Sequence, residues 1–263
     1  MPELPEVHTF QHYFNETALH QRIVDVPIQD DRIIRNMDGN SFRKALKGRT
    51  FLGSYRRGKY LFARLDNEHR VLLHFGMSGD LKYYSDPEDK PKHERFAFHF
   101  DNDMRLGFDC PRLFARILYL TDYEAYIAQI GLGPDAMVIT EAEFLKAMEG
   151  RTGTIKGFLL NQKVLAGMGN LYADQVCYQT RIHPASRIDK LSKPKRKLIY
   201  RTMQDILKDA TERLPYYKGY PENWFWQTWR TDGTPGPEGK GVVVHEPIAG
   251  RTTYYVKGWQ KKY

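Results

Sequence analysis

The sequence predicts an α+β fold with more than one domain. It reads as a helix at the N-terminus, an antiparallel β region of sandwich or barrel type, a run of helices and a closing β-hairpin. Three observations predict it. Leu4, Val7, Phe10, Tyr13 and Phe14 have helical spacing. From Arg22 to about Asp122 the apolar spacing changes to period two, as in Val71/Leu73/Phe75, Phe96/Phe98/Phe100 and Leu106/Phe108, with charged and turn residues between the runs. Beyond Gly131 the helical spacing returns, until about Trp224, where glycine, proline and β-branched residues take over.

Taken in order, residues 4–20 form a helix whose apolar stripe holds the N-terminus against a core. Residues 22–122 form the β region. Gly131-Leu132-Gly133-Pro134-Asp135 is a hinge, because glycine and proline interrupt both periodicities there. Thr140-Glu141-Ala142-Glu143 is a capping box opening a short helix that ends at Gly150. A second helical segment covers about Ile155 to Gln162 and a third starts at Asn170. The fourth runs roughly from Pro194 to Leu214 with Leu198, Ile199, Met203, Ile206 and Leu207 on one face. No internal repeat or low-complexity tract is present.

With 263 residues, 41% hydrophobic and 27% charged, the chain can bury a substantial core. A charged-then-apolar leader and a run of 18 apolar residues are both missing, so neither secretion nor a membrane span is expected. Cys110 and Cys177 lie far apart and read as buried thiols rather than a disulfide. The net charge of +8 favours a polyanionic partner, most simply nucleic acid.

Several residues have two readings. Trimming of Met1 would leave Pro2 with a free secondary amine, and α-amino groups titrate near about 7.7–8. Such an amine can attack a sugar aldehyde carbon to give an iminium, with Glu3 moving protons on the same sugar. The same residues also suit an ordinary helix start. Arg56-Arg57-Gly58-Lys59-Tyr60 is a basic hairpin turn, either facing solvent or serving an anion. Met77 in His74-Phe75-Gly76-Met77-Ser78-Gly79 is either a core filler or an exposed apolar wedge. His93 after Lys92 is either a surface histidine or a contact. Glycines ahead of Asn170 let backbone N–H groups approach a phosphate, although a plain helical hairpin has the same pattern.

Met1-Pro2-Glu3-Leu4-Pro5-Glu6-Val7 resembles the start of the formamidopyrimidine-DNA glycosylase/endonuclease VIII family of bifunctional DNA glycosylases, and its leucine and valine are closer to the formamidopyrimidine branch. The resemblance continues along nearly the whole chain. Lys59 matches a lysine that contacts DNA and assists elimination. Met77, with Arg112 and Phe114 of Asp109-Cys110-Pro111-Arg112-Leu113-Phe114, matches three residues that enter the duplex. Wedge residues of this kind offset the cost of flipping a base. His93 and Arg151 match further DNA contacts. The run from Ile155 to Asp174, with His183-Pro184 after it, resembles the family's helix–two-turn–helix, in which Asn170 supplies a phosphate donor. Ala249-Gly250-Arg251-Thr252-Thr253-Tyr254-Tyr255 is similar to the finger's hairpin tip, with Arg251 at the phosphate by the lesion.

Two stretches depart from the family. Its four-cysteine zinc finger is replaced by Gly236-Pro237-Glu238-Gly239 and Val256-Lys257-Gly258-Trp259, and His245 alone cannot hold structural zinc. The expectation is a zincless finger with no cofactor, packed on Tyr254 and Trp259, as in vertebrate endonuclease VIII-like relatives. Where 8-oxoguanine enzymes carry a Gly-rich capping loop, residues 214–226 are short and aromatic, suited either to stacking on a base or to the finger's core. Specificity for 8-oxoguanine therefore does not carry over.

What the resemblance implies is an N-terminal helix plus antiparallel β-sandwich over residues 1–130, a hinge at 131–137, a helix–two-turn–helix domain over 138–222 and a zincless finger hairpin over 223–263. The expected partner is damaged double-stranded DNA, lying in a basic cleft between the domains and bound by a monomer in the cytoplasm, at the nucleoid. Pro2 is the expected nucleophile and Glu3 the proton donor, with Lys59 and Arg251 assisting. Glu6 is a secondary candidate that a helix-start acid explains equally well. The activity implied is a bifunctional glycosylase/abasic-site lyase. A damaged-DNA binder without catalysis and a lyase with little glycosylase activity remain alternatives.

Overall fold

In a computed structural model, the structure describes residues 2–214, 219–225 and 230–263. The chain divides into two compact units, Met1–Gly131 and Leu132–Tyr263.

The first unit opens with α1 (Leu4–Ala18), whose Leu4, Val7, Phe14 and Ala18 are buried as their spacing predicts. Eight strands follow: β1 (Ile23–Asp25), β2 (Phe51–Arg57), β3 (Tyr60–Leu65), β4 (Arg70–His74), β5 (Asp80–Tyr84), β6 (Glu94–Phe100), β7 (Arg105–Asp109) and β8 (Arg116–Leu120). They pair antiparallel into two four-stranded sheets, ordered β1-β6-β7-β5 and β2-β3-β4-β8. Leu61, Ala63, Leu65, Val71, Leu73 and Ile117 of the second sheet share one core with Phe96, Phe98, Phe100, Leu106 and Phe108 of the first. Each such side chain contributes about 1.5–3 kcal/mol on burial. The period-two pattern is therefore that of a sandwich.

Two helices interrupt or follow the region read as strands. Asp38 caps α2 (Gly39–Leu46) by accepting the Ser41 N–H at 2.9 Å. Only Phe42 and Leu46 give this helix an apolar face, too few to stand out from alternating sequence. Asp122 caps α3 (Tyr123–Ile130), and Gly131 closes it in the left-handed conformation at φ +57°. Tyr123, Tyr126, Ile127 and Ile130 cover Phe62, Leu72 and Leu120, the other face of the second sheet. A strand buried on both faces loses its alternation, and the helix that covers it is short.

In the second unit the Thr140–Glu143 capping box opens α4 (Glu141–Met148) as expected. Next come α5 (Ile155–Leu160), α6 (Asn170–Gln179) and α7 (Lys193–Arg213). Gln162 fixes the two turns between α5 and α6: its Oε1 accepts the Gly167 N–H at 3.0 Å, and its Nε2 donates to the Leu160 and Met168 carbonyls. The terminal hairpin is β9 (Val242–Ile248) and β10 (Arg251–Lys257), beginning well after the Trp224 expected from composition. Its turn, Ala249-Gly250, has φ +51° and +71°, the two left-handed residues that a tight hairpin needs. Cys110 and Cys177 are free and buried. Among the described residues, no helix is long and apolar enough to cross a membrane.

Candidate active site

In the first unit, local pairing carries the predicted residues to one end of the sandwich. α1 lies along β2: Leu19 bridges Phe51, while Gln11 and Asn15 both bond Ser54. Followed the other way, the register takes the start of α1, with Pro2 and Glu3, toward the β2–β3 turn at Gly58-Lys59. His74 at the end of β4 meets Tyr60 just beyond that turn, with ring centroids 5.0 Å apart, and pairs with Arg116 at the start of β8. The Met77 turn leaves β4 here and the Arg112–Phe114 loop enters β8 here. Asp80, Asp109 and Glu94 pair in register at the matching end of the first sheet.

Glu3 is only 4% exposed and Lys59 9%. The basic turn is therefore not a solvent-facing hairpin at Gly58-Lys59, and Arg56 helps fold it inward by donating to the Gly58 carbonyl at 3.0 Å. Charged side chains are rarely buried without a purpose that repays their desolvation. Glu6 has a structural task, since its Oε2 accepts the Glu3 backbone N–H at 2.8 Å at the start of α1.

The two residues expected to act as a wedge are exposed, Met77 at 44% and Phe114 at 57%. Gly76 (φ +60°) brings the loops that carry them together. A Cβ on Gly76 would lie 2.4 Å from the Phe114 carbonyl carbon, so the two loops touch backbone to backbone. Leu113, between Arg112 and Phe114, takes φ +58°, a strained conformation for leucine that turns the loop outward. The base of this loop is anchored by Arg95, which donates to the Cys110 and Pro111 carbonyls. His93 lies beside the loop: its N–H donates to Asp109 at 2.8 Å and its carbonyl accepts from Cys110 at 3.0 Å.

His74 joins the site although its sequence context assigns it no role. Burial, with Arg116 and Lys59 nearby, pushes its pKa down to about 4. Its Nδ1 accepts the Gly76 N–H at 3.3 Å, which a neutral ring can do and an imidazolium cannot. A neutral histidine thus holds the turn that carries Met77. A histidine two residues before a turn glycine is the one sequence signal for it.

In the second unit, Asn170 and Arg251 come together. Asn170, the first residue of α6, donates from Nδ2 to the Thr252 carbonyl at 3.0 Å, next to Arg251 at the hairpin tip. A Cβ on Gly157 of α5 would touch Ala249 at 3.4 Å, so the turn rests on that helix. Arg151 donates to the Ala147 carbonyl at 2.6 Å and lines a small groove of about 160 Å³ with Thr154 and the same Gly157. Beneath the tip is a buried ionic group that the sequence did not announce. Lys156 bonds Asp174 at 2.5 Å, and Arg230 bonds the other Asp174 oxygen at 2.7 Å. Burial opposes both charges of the pair, lowering the Lys156 pKa and raising that of Asp174.

At the positions of the family's metal ligands the residues present do not fit zinc. Gly236 has no room for any side chain, because a Cβ would lie 2.1 Å from the Lys240 carbonyl oxygen. Val256 is fully buried against Val243, Tyr178 and Phe225, with Tyr254 and Trp259 packed around them. Arg181 and Lys240 sit 3.9 and 4.6 Å from the Trp259 ring. Phe225 of the aromatic stretch stacks on Tyr178 at 5.3 Å, the core reading of that stretch. Tyr216, Tyr217, Lys218 and Trp226 lie outside the described residues, as does Met1.

Residues 1–117 match the family model described as the formamidopyrimidine-DNA glycosylase N-terminal domain, and residues 130–214 match that of the formamidopyrimidine-DNA glycosylase H2TH domain. A formamidopyrimidine-DNA glycosylase of Arabidopsis thaliana is 31% identical, over 100% of this chain and 72% of its own length. One from Pelotomaculum thermopropionicum is 28% identical over 99% of each. Among solved structures, Lactococcus lactis Fpg in complex with a FAPY-dG-containing DNA is similar with a TM-score of 0.89 and 25% identity, over 99% of this chain and 100% of that one.

Proposed function

The chain belongs to the formamidopyrimidine-DNA glycosylase family, and on that footing we propose that it is a bifunctional DNA glycosylase and abasic-site lyase acting on damaged duplex DNA as a monomer. The observation that carries the reading is the shared end of the sandwich, where buried Glu3 and Lys59 accompany exposed Met77 and Phe114.

Met77 and Phe114 enter the duplex and Arg112 takes up the space of the displaced base, offsetting the unstacking cost of about a few kcal/mol. Once Met1 is removed, the Pro2 nitrogen is a secondary amine. Its lone pair forms a bond to C1′ as the C1′–N bond to the damaged base breaks, and the base departs with the electron pair and takes up the proton that the Pro2 nitrogen releases. Glu3 protonates the ring oxygen as the sugar opens, leaving an iminium between Pro2 and C1′. Loss of a C2′ proton then expels the 3′ phosphate (β-elimination), and a second loss expels the 5′ phosphate (δ-elimination). Lys59 and Arg251 serve the phosphates and the proton transfers of these steps, and Asn170, Arg151 and His93 hold the backbone. Glu6 belongs to the helix start. The finger closes without metal on the Val243–Val256 cluster.

Support comes from the placement of each matched residue within its own unit and from the +8 net charge, which suits a polyphosphate partner. The test is strand incision on duplexes carrying a formamidopyrimidine, an oxidised pyrimidine or a pre-formed abasic site. Cleavage of a damaged-base duplex that Glu3→Gln abolishes is the expected result. Cleavage of the abasic duplex alone would reduce the protein to a lyase, and binding without any cleavage would leave a damaged-DNA binder.

A further inference from the structure

Beneath the hairpin tip of the second unit, three consecutive residues are each tied to the helices by a different group, and the middle one passes the tie on to Arg251. Asn170 Nδ2 donates to the Thr252 carbonyl at 3.0 Å. Asp174 Oδ2 accepts the Tyr254 N–H at 3.3 Å. Lys156 Nζ donates to Thr253 Oγ1 at 2.7 Å, and Thr253 Oγ1 donates to the Arg251 carbonyl at 3.0 Å. The last two bonds have a forced direction. An ammonium has no acceptor, so the hydroxyl must receive from Lys156 and pass its single proton to Arg251. Lys156 and Thr253 are both 0% exposed and Asp174 is 1% exposed, so the Lys156–Asp174 and Lys156–Thr253 bonds are shielded from water.

From this arrangement we propose that Lys156, Asp174 and Thr253 form a metal-free clamp that sets the backbone of the Arg251 turn and so positions Arg251 and Asn170 on the DNA phosphate. They are positioning residues. The inference rests on the phosphate-binding role given to Arg251 above.

Stability alone is a poor reason for this group. A buried lysine–aspartate pair is commonly no better than apolar side chains of the same volume, because desolvation consumes the Coulombic gain. It is, however, directional, and here its direction ends on the carbonyl of one arginine. The charge count points the same way. Lys156 and Arg230 face the single carboxylate of Asp174, leaving one net positive charge under the turn. Gly157 adds close packing, since a Cβ there would lie 3.4 Å from the Ala249 Cβ, so the turn sits directly on α5.

The test is a double-mutant cycle in the full chain, with Thr253→Val, Arg251→Gln and the pair, read as Kd for a duplex bearing a tetrahydrofuran abasic-site analogue. Thr253→Val keeps the shape and removes the relay hydroxyl. Thr253→Ala, which cannot crowd the ammonium, is run beside it in case the valine variant does not fold. Either variant should weaken binding about tenfold in the wild-type background and less than about twofold with Arg251→Gln present. Thr253→Ser should restore binding. Equal weakening in both backgrounds, or a lowered unfolding midpoint with unchanged Kd, would overturn the clamp. If the wild-type protein shows no preference for the abasic-site duplex over an undamaged one, the functional reading falls, and the clamp falls with it.

Discussion

Gly76→Ala tests whether the wedge loops depend on backbone contact. The added methyl would lie 2.4 Å from the Phe114 carbonyl carbon, 2.5 Å from its oxygen and 2.7 Å from the Ala115 nitrogen. Ordinary contact begins near 3.4 Å, so the two loops must part by about 1 Å (3.4 − 2.4). Gly76 also sits at φ +60°, where an alanine is strained by about 1–2 kcal/mol. Adding about 1–3 kcal/mol for the overpacked contact gives a loss of about 2–5 kcal/mol in urea unfolding. If the loops relax instead, Met77 and Phe114 separate by that 1 Å, and misplacement of this size costs up to about 100-fold in a positioned step. Stopped-flow fluorescence of 2-aminopurine beside a lesion reads the flipping step directly. Gly53→Ala is the control, since a methyl there meets nothing within 4 Å. The reasoning is refuted if Gly76→Ala unfolds and flips like Gly53→Ala.

His74 gives a pH signature. Its folded pKa of about 4 lies below the ordinary 6.5, so the unfolded chain gains a proton between these values while the folded chain does not. Stability is therefore complete above pH 6.5 and falls as the pH drops toward 4, by up to about 3 kcal/mol; a His74→Gln variant measured by urea unfolding should lack this dependence. Phe114→Ala, at an exposed site, should leave unfolding within about 0.5 kcal/mol of wild type while slowing 2-aminopurine unstacking at least about tenfold. Val256→Ala should cost about 2 kcal/mol by opening the finger cluster, and a chelator should leave the melting temperature of the wild-type protein unchanged.

The sequence made the periodic parts plain. Leu4 to Phe14 gave α1, the alternating phenylalanines of β6 gave the sandwich, and Thr140–Glu143 gave the start of α4. It concealed α2 and α3 because each buries few residues and is fixed by a single aspartate cap, a signal shared with many turns. Among site residues, Met77 stood out on its Gly-flanked turn and Phe114 through the family resemblance, but the contact of their loops did not, because it depends on Gly76 meeting a backbone distant in sequence. Lys156 and Asp174 were hidden for a related reason. Eighteen residues apart on two helices, each reads as an ordinary helix-surface charge until the turns held by Gln162 bring α5 against α6. His74 carried no signal of its own beyond that glycine turn, since its neutrality comes from burial that no local pattern encodes.

Everything in the proposed reaction depends on Pro2 being the nucleophile. Borohydride reduction of the purified protein on abasic-site duplex DNA, followed by peptide mapping, tests it most directly. A covalent adduct on the Pro2 nitrogen is expected, carried by protein that has lost Met1 and missing in Pro2→Gly. An adduct mapped to Lys59 or another lysine, or tight binding with no adduct once Met1 removal is verified, would contradict it.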